Sequence, residues 1–156
     1  MPLRSGIGYG PGVPRSVVAA TAGTETLCTV SDSTDAPDTL LRDFVPEDLS
    51  AARDLWGRCE GLGAGRYDDD ASWLRFLERN PGLSYAAVRD GRMVGTVLGG
   101  TDGRRGLIYR LAVDPDVRRS GLARRLVDRY LESLGQLGID RVLVFLFDDN
   151  VDGRRF

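Results

Sequence analysis

The segment LAVDPDVRRSGLARRL, residues 111–126, decides the architecture of this 156-residue chain. An apolar run is stopped by a proline, passes into an arginine- and glycine-rich turn, and opens a helix with leucines at helical spacing. The first N–H groups of a helix lack intrahelical acceptors, and the helix dipole adds positive charge there. Gly121 and Ala123 let an anion approach the main chain, and three further residues add charge: Arg118, Arg119 and Arg124. The segment therefore predicts a pyrophosphate site.

Outward from this segment, hydrophobic spacing and turn residues predict an α+β domain with a mixed sheet. Asp90-Gly91 between two apolar runs indicates a hairpin. A helical connection makes the last strand parallel to the strand that precedes the arginine turn. The predicted order is strand 39–44, a helix from Pro46 with Cys59 on its buried face, a short helix ended by Asn80-Pro81-Gly82, strands 84–89, 92–98 and 107–113, a helix from 122 to about 138, and strand 141–147.

Composition separates the chain into a tail and a domain. Residues 1–37 contain four of the seven prolines and show no amphipathic period. Such a segment cannot bury enough apolar surface to offset its ordering entropy. We therefore predict a disordered tail over residues 1–37 and one folded domain over residues 38–156.

The charged residues exclude several classes of function. All 21 basic residues are arginines, so a histidine base, a lysine Schiff base, a P-loop lysine and most zinc sites are excluded. A net charge of −2 argues against a nucleic-acid partner, and no apolar run is long enough to span a membrane. We expect no metal. Cys28 and Cys59 are far apart, which suggests a reducing compartment, and we predict a cytoplasmic protein.

The turn also carries a family resemblance. Arg118-x-x-Gly121-x-Ala123 resembles the Arg/Gln-x-x-Gly-x-Gly/Ala signature of the GNAT N-acetyltransferase superfamily, and it follows a Leu-x-Val-x-Pro strand end as in that family. The resemblance covers about residues 39–156 and is similar to small bacterial members. It implies the GNAT acyl-CoA N-acyltransferase fold, β-α-α-β-β-β-α-β up to the end of this chain. It also implies acetyl transfer from acetyl-CoA to a primary amine of a protein N-terminus, amino acid, polyamine or other small molecule, by direct attack in a ternary complex.

Site residues follow from the same resemblance. The main chain of the fourth family strand would bind the pantetheine arm in a gap between splayed parallel strands, and the arginine turn would bind the pyrophosphate. The implied residues for acetyl-CoA are Leu111, Ala112, Val113, Arg118, Arg119, Ser120, Gly121, Leu122, Ala123, Arg124 and Asn150. The acidic loop of residues 61–70 would lie near the acceptor, with Tyr67, Asp68 and Tyr109 as candidate contacts. An equally open alternative is a surface loop in which Asp70 caps the next helix.

The pattern departs from the family at two places. Leu107 stands where many members carry a glutamate that helps to deprotonate the amine. The family tyrosine that protonates the leaving thiolate would be position 157, so the catalytic residues are unknown, and the last helix and two strands are missing. We expect a truncated gene or sequence, with an unprotected edge on strand 142–147 that a second chain in a homodimer could cover. The alternative function is a non-catalytic acyl-CoA-binding or interaction domain.

Overall fold

The structure is a computed structural model that describes residues 16–21, 39–60, 62 and 67–146, the first range and residues 145–146 as backbone only. No helix in these ranges is long and apolar enough to cross a membrane. Two 3-10 turns, Pro46–Asp48 and Pro115–Val117, precede helices. The other elements are β1 (Ser16–Thr21), β2 (Leu40–Asp43), α1 (Leu49–Gly57), α2 (Asp70–Arg79), β3 (Ser84–Arg89), β4 (Arg92–Thr101), β5 (Gly106–Val113), α3 (Leu122–Gln136) and β6 (Arg141–Leu146).

The strands form one mixed sheet in the order β1-β6-β5-β4-β3-β2. Only β5 and β6 are parallel, because α3 returns the chain to the same end of the sheet before β6 begins. The β3–β4 hairpin turns at Asp90 and Gly91, which both have positive φ angles, as a type I′ turn requires. The predicted α+β class and the predicted order from β2 to β6 are confirmed.

Helices cover both faces of the sheet. On one face, α3 presents a row of four buried side chains at helical spacing: Leu122, Leu126, Tyr130 and Leu134. On the other face, α1 and α2 form a second core around Trp56 and Trp73, whose rings lie 5.6 Å apart. Cys59 belongs to this second core, so its predicted burial is confirmed, although α1 ends at Gly57 and Cys59 lies just beyond the helix. The sheet is therefore covered by α3 on one side and by α1 and α2 on the other.

The edge of the sheet beside β6 differs from expectation. β1 pairs antiparallel with the whole of β6, from Ser16 opposite Leu146 to Thr21 opposite Arg141. The predicted disorder of residues 1–37 is thus not followed at these six residues, and the rest of that segment lies outside the described residues. The predicted unprotected edge of β6 was wrong, because β1 supplies hydrogen-bonding partners along it. A short run of residues that favour β-structure can form a strand when a neighbouring strand provides hydrogen-bonding partners. The periodicity of the run itself does not show that such a partner exists.

Candidate active site

A β-bulge in β5 changes which face of the sheet its side chains occupy. β4 pairs Leu98 with Arg110 and Gly99 with Ile108, so Tyr109 is the extra residue of the bulge. Ile108 belongs to the core under α3. Arg110, two residues later, instead lies over the rings of Trp56 and Trp73 on the opposite face, although strand alternation would place it with Ile108. The bulge thereby turns Arg110 toward α1 and α2.

The described pairing between the parallel strands β5 and β6 ends at this bulge. It runs through Gly106–Val142 and Leu107–Leu143 to Ile108–Val144. β5 continues to Val113, and its last five residues have no partner in the described part of β6. Because the other side of β5 pairs with β4, alternate main-chain groups of this stretch point toward the β6 side. The stretch includes the three residues predicted to bind the pantetheine arm: Leu111, Ala112 and Val113.

The turn between β5 and α3 ends in a helix N-terminus that the protein leaves uncapped. Gly121 is the N-cap residue, with φ of 75°, and no side chain in the described part of the chain caps the first turn. The first intrahelical bond runs from the Arg125 amide to the Gly121 carbonyl at 3.0 Å, so the N–H groups of Leu122, Ala123 and Arg124 precede it. The Ser120 hydroxyl donates to the Val117 carbonyl and does not cap the helix. These amides have no intrahelical acceptor, and the helix dipole favours an anion beside them.

The three arginines predicted to surround that helix end lie in the turn and in the first turn of α3. The side chains of Arg118, Arg119 and Arg124 are exposed. Arg119 has φ of 62°, a left-handed conformation that is uncommon outside glycine. A Cβ added at Gly121 would meet no protein atom within 4 Å, which leaves room for a ligand against the main chain. The turn therefore combines exposed positive charge with amides that have no intrahelical acceptor, and the Arg124 guanidinium lies 3.8 Å from the Asp128 carboxylate one turn further along α3.

Arg118 also approaches the end of α1 from this turn. Burial raises the pKa of the Cys59 thiol, and the nearby charge of Arg118 lowers it only in part. The thiol contacts the Val113 carbonyl at 3.5 Å. A buried thiol with a raised pKa stays protonated, so Cys59 packs the core and is not a nucleophile, as the sequence indicated.

Asp114 is a buried carboxylate that sequence reasoning missed. It follows the last residue of β5 and is 2% exposed. Its Oδ2 accepts from Arg58 at 3.0 Å and from Arg92 at 2.6 Å. Burial alone would raise its pKa, but hydrogen bonds from the Asp116 amide and Arg58, with the charges of both arginines, hold that pKa below its usual value. In the sequence, Asp-Pro after a strand indicates only that the strand stops, because both arginines come from distant elements.

The acidic loop before α2 is attached to its surroundings by its own carboxylates. Asp69, and not Asp70 as predicted, caps α2 by accepting from the Ser72 amide at 2.7 Å. Asp70 begins the helix and pairs with Arg53 of α1 at 2.8 Å. The same arginine donates to the Asp68 carbonyl at 2.7 Å. The cap lies one residue earlier than expected because Asp69 has the extended backbone that an N-cap needs.

Two of the three candidate acceptor residues lie on the α1 and α2 face of β5. Asp68 accepts from Arg110 at 2.7 Å, which holds the loop against the bulged part of β5. Tyr109 packs edge-on against Phe76 of α2, with ring centroids 4.9 Å apart. The third candidate, Tyr67, is 74% exposed and lies on the protein surface. Arg110 was not selected from the sequence, and only the bulge explains why it faces this side.

Of the two remaining positions named from the sequence, the structure describes one. Leu107, where the family carries a glutamate, is half-buried, and its amide donates to the Tyr130 hydroxyl at 2.8 Å. Its side chain offers no acid–base group, as the sequence implied. Asn150 lies outside the described residues.

The described end of the β5–β6 pairing, followed by a helix N-terminus with free amides among arginines, is the arrangement that the resemblance predicted for an acyl-CoA site of the GNAT type. The model of the acetyltransferase (GNAT) family matches residues 49–156, more than half of the chain. The chain belongs to this family, and the resemblance stated from the turn is confirmed.

Curated relatives and solved structures agree with this assignment. An acetyltransferase from Pectobacterium atrosepticum is 36% identical over 110 residues, covering 70% of this chain and 77% of the relative. One from Photorhabdus laumondii is 34% identical over 110 residues, covering 70% and 76%. In structure, the chain is similar to PaiA N-acetyltransferase from Thermoplasma acidophilum, solved with coenzyme A, at a TM-score of 0.65 and 15% identity, covering 76% of this chain and 86% of that one.

Proposed function

We propose that this chain transfers an acetyl group from acetyl-CoA to a primary amine. The observation that carries the proposal is the N-terminus of α3, where the first amides lack intrahelical acceptors and Arg118, Arg119 and Arg124 lie in the same segment. This segment follows β5, whose described pairing with β6 has already ended. A pyrophosphate bound there would leave its pantetheine arm directed along the unpaired end of β5. The bacterial relatives named acetyltransferase support this proposal. We also propose a cytoplasmic location.

The proposed chemistry is direct attack in a ternary complex. The deprotonated amine nitrogen attacks the thioester carbonyl carbon, and a main-chain amide near Val113 stabilises the developing oxyanion. The nitrogen of the tetrahedral intermediate then loses a proton, and the carbon–sulfur bond breaks to give the amide. The CoA thiolate leaves and takes up a proton. The scheme needs no acyl-enzyme, and Cys59, the cysteine among the described residues, is buried with a raised pKa.

We place the acceptor against the α1 and α2 face of β5, with Tyr67, Asp68 and Tyr109 as its contacts. The bulge supports this choice, because it brings the polar end of β5 and the acidic loop together through the bond between Arg110 and Asp68. All three loop carboxylates already bind protein groups. We therefore expect selectivity for a primary amine of modest charge more than for a polycation.

The test of donor binding compares two arginines at opposite ends of β5. Arg118→Ala removes a charge at the proposed pyrophosphate site, whereas Arg104→Ala removes an exposed charge in the β4–β5 turn. Because a charge-assisted bond contributes about 1.5–3 kcal/mol, Arg118→Ala should weaken CoA binding about tenfold or more in calorimetry. The control variant should bind as the wild type does. Equal losses in both variants would mean that general positive charge, and not this site, attracts CoA.

Catalysis is tested by thiol release from acetyl-CoA with a panel of amino acids, polyamines and amino-terminal peptides. Tyr109→Ala should raise the KM for the amine without changing the KM for acetyl-CoA, and Tyr109→Phe should retain most of the packing against Phe76. CoA binding without thiol release from any amine would instead support the alternative of a non-catalytic acyl-CoA-binding domain. Absence of CoA binding would refute the proposed function.

A further inference from the structure

Asp114 joins three elements at the point where β5 passes into the arginine turn. Its amide donates to the Val94 carbonyl of β4 at 2.9 Å, and its own carbonyl accepts from the Val117 amide at 3.0 Å. Its Oδ1 accepts from the Asp116 amide at 3.1 Å. Main chain and side chain of one residue therefore determine both the end of the strand and the start of the turn.

The carboxylate also receives two guanidinium groups from outside the turn. Arg58 follows α1 and Arg92 begins β4, and both bind Oδ2. The two arginines are partly exposed, whereas Asp114 is buried. Without the carboxylate, the two arginine charges would face each other beneath the turn. The hydrogen bond that the Asp116 amide donates to Asp114 would also be lost. Asp114 is thus the common anchor of α1, β4 and the turn.

We propose that Asp114 is a positioning residue that sets the spacing between the two halves of the donor site. This inference rests on the proposed use of acetyl-CoA. Val113, next to Asp114 on one side, carries the main-chain groups proposed to hold the thioester, and Arg118, four residues beyond Asp114, opens the proposed pyrophosphate site. A donor that contacts both halves at once needs them at one fixed separation. A donor that ends at pantetheine contacts only the strand and does not depend on that separation.

The experiment measures the preference of the enzyme for acetyl-CoA over S-acetylpantetheine, as the ratio of the two kcat/KM values. Asp114→Asn retains an oxygen for the Asp116 amide but loses the charge that holds Arg58 and Arg92. The ratio should fall about tenfold, the effect of one charge-assisted contact, because the loss falls mainly on the longer donor. Asp102→Asn is the control, since Asp102 also accepts hydrogen bonds from its own turn and from an arginine, here two amides and Arg105, but lies before the other end of β5. Its ratio should equal that of the wild type.

A second variant keeps the test decisive if Asp114→Asn does not fold. Arg92→Met removes one of the two guanidinium groups from a half-exposed position and should lower the ratio in the same direction by a smaller factor. A parallel loss of activity with both donors, or an unchanged ratio in variants that melt cooperatively, would overturn the proposal and leave Asp114 a purely structural residue. Failure of the wild type to bind CoA would instead refute the proposed function itself.

Discussion

Tyr130→Phe removes one hydroxyl from the centre of α3 while leaving the ring that packs the core. The Tyr130 side chain is fully buried, and its hydroxyl accepts from the Leu107 amide at 2.8 Å and donates to the Gly100 carbonyl at 2.8 Å. A buried polar group that loses its partner costs about 1–3 kcal/mol, and the aromatic volume is conserved. Allowing for partial relaxation of the two strands, we expect a loss of about 2 kcal/mol in the free energy of unfolding.

The assay is urea denaturation at neutral pH, with thermal melting as a second readout. For a domain of this size the melting temperature should fall by about 8 °C. Tyr85→Phe is the control, because its hydroxyl bonds to Gly82 and Ser133 in a part-buried setting where water can replace it, so its cost should be smaller. Equal melting temperatures for the Tyr130 variant and the wild type would refute the expected cost of the lost hydroxyl. They would show that the Leu107 amide finds another hydrogen-bond partner.

Alkaline pH gives the same substitution a second signature. Burial raises the pKa of Tyr130 in the folded chain, so the neutral phenol stabilises the fold fully below the unfolded pKa of about 10. That contribution is lost as the pH rises through the folded-state pKa. The difference in stability between wild type and Tyr130→Phe should therefore shrink above about pH 10. A difference that stays constant across that range would contradict the burial of an ionisable group at this position.

Three further predictions concern the sheet and its edges. Asp48→Asn should lower the free energy of unfolding by only about 1 kcal/mol at neutral pH, since the partner Arg42 is partly exposed. Burial would raise the pKa of Asp48, but bonds from Arg42 and the Val45 amide hold it below its usual value. The difference in stability between the variant and the wild type should therefore close below about pH 4. Urea titrations across pH check this, and a gap that persists at low pH would contradict it. Gly99→Ala should cost about 1–3 kcal/mol, because its Cβ would lie 2.3 Å from the buried tyrosine ring of α3 and 2.6 Å from a carbonyl oxygen of the Leu83 backbone. Wild-type melting of that variant would mean that the ring shifts freely. Deletion of residues 1–21 should promote aggregation by exposing the edge of β6, whereas deletion of residues 1–15 should not. Light scattering compares the two deletion variants, and equal aggregation would show that β1 does not protect that edge.

The sequence alone predicted the elements that local rules determine. The leucine stripe of α3 appeared from 3.6-residue spacing, and the β3–β4 turn from Asp90-Gly91, because a helix face and a type I′ turn are specified within a few residues. The arginine turn was likewise predicted from Arg118 and Gly121, since a helix N-terminus has its free amides wherever the helix begins. The family assignment followed from these local features, and the family model confirms it.

Only the tertiary structure decided the features that join distant parts of the chain. The bulge at Tyr109 is a one-residue shift in the register between β4 and β5, and neither strand's sequence reveals it without the other. Asp114 depends on arginines 56 and 22 residues earlier in the chain, and β1 depends on a partner more than 100 residues later. Periodicity reports which side of a single element is buried. It carries no information about which partner an edge strand or a buried carboxylate will meet, because those contacts form only when the sheet is assembled.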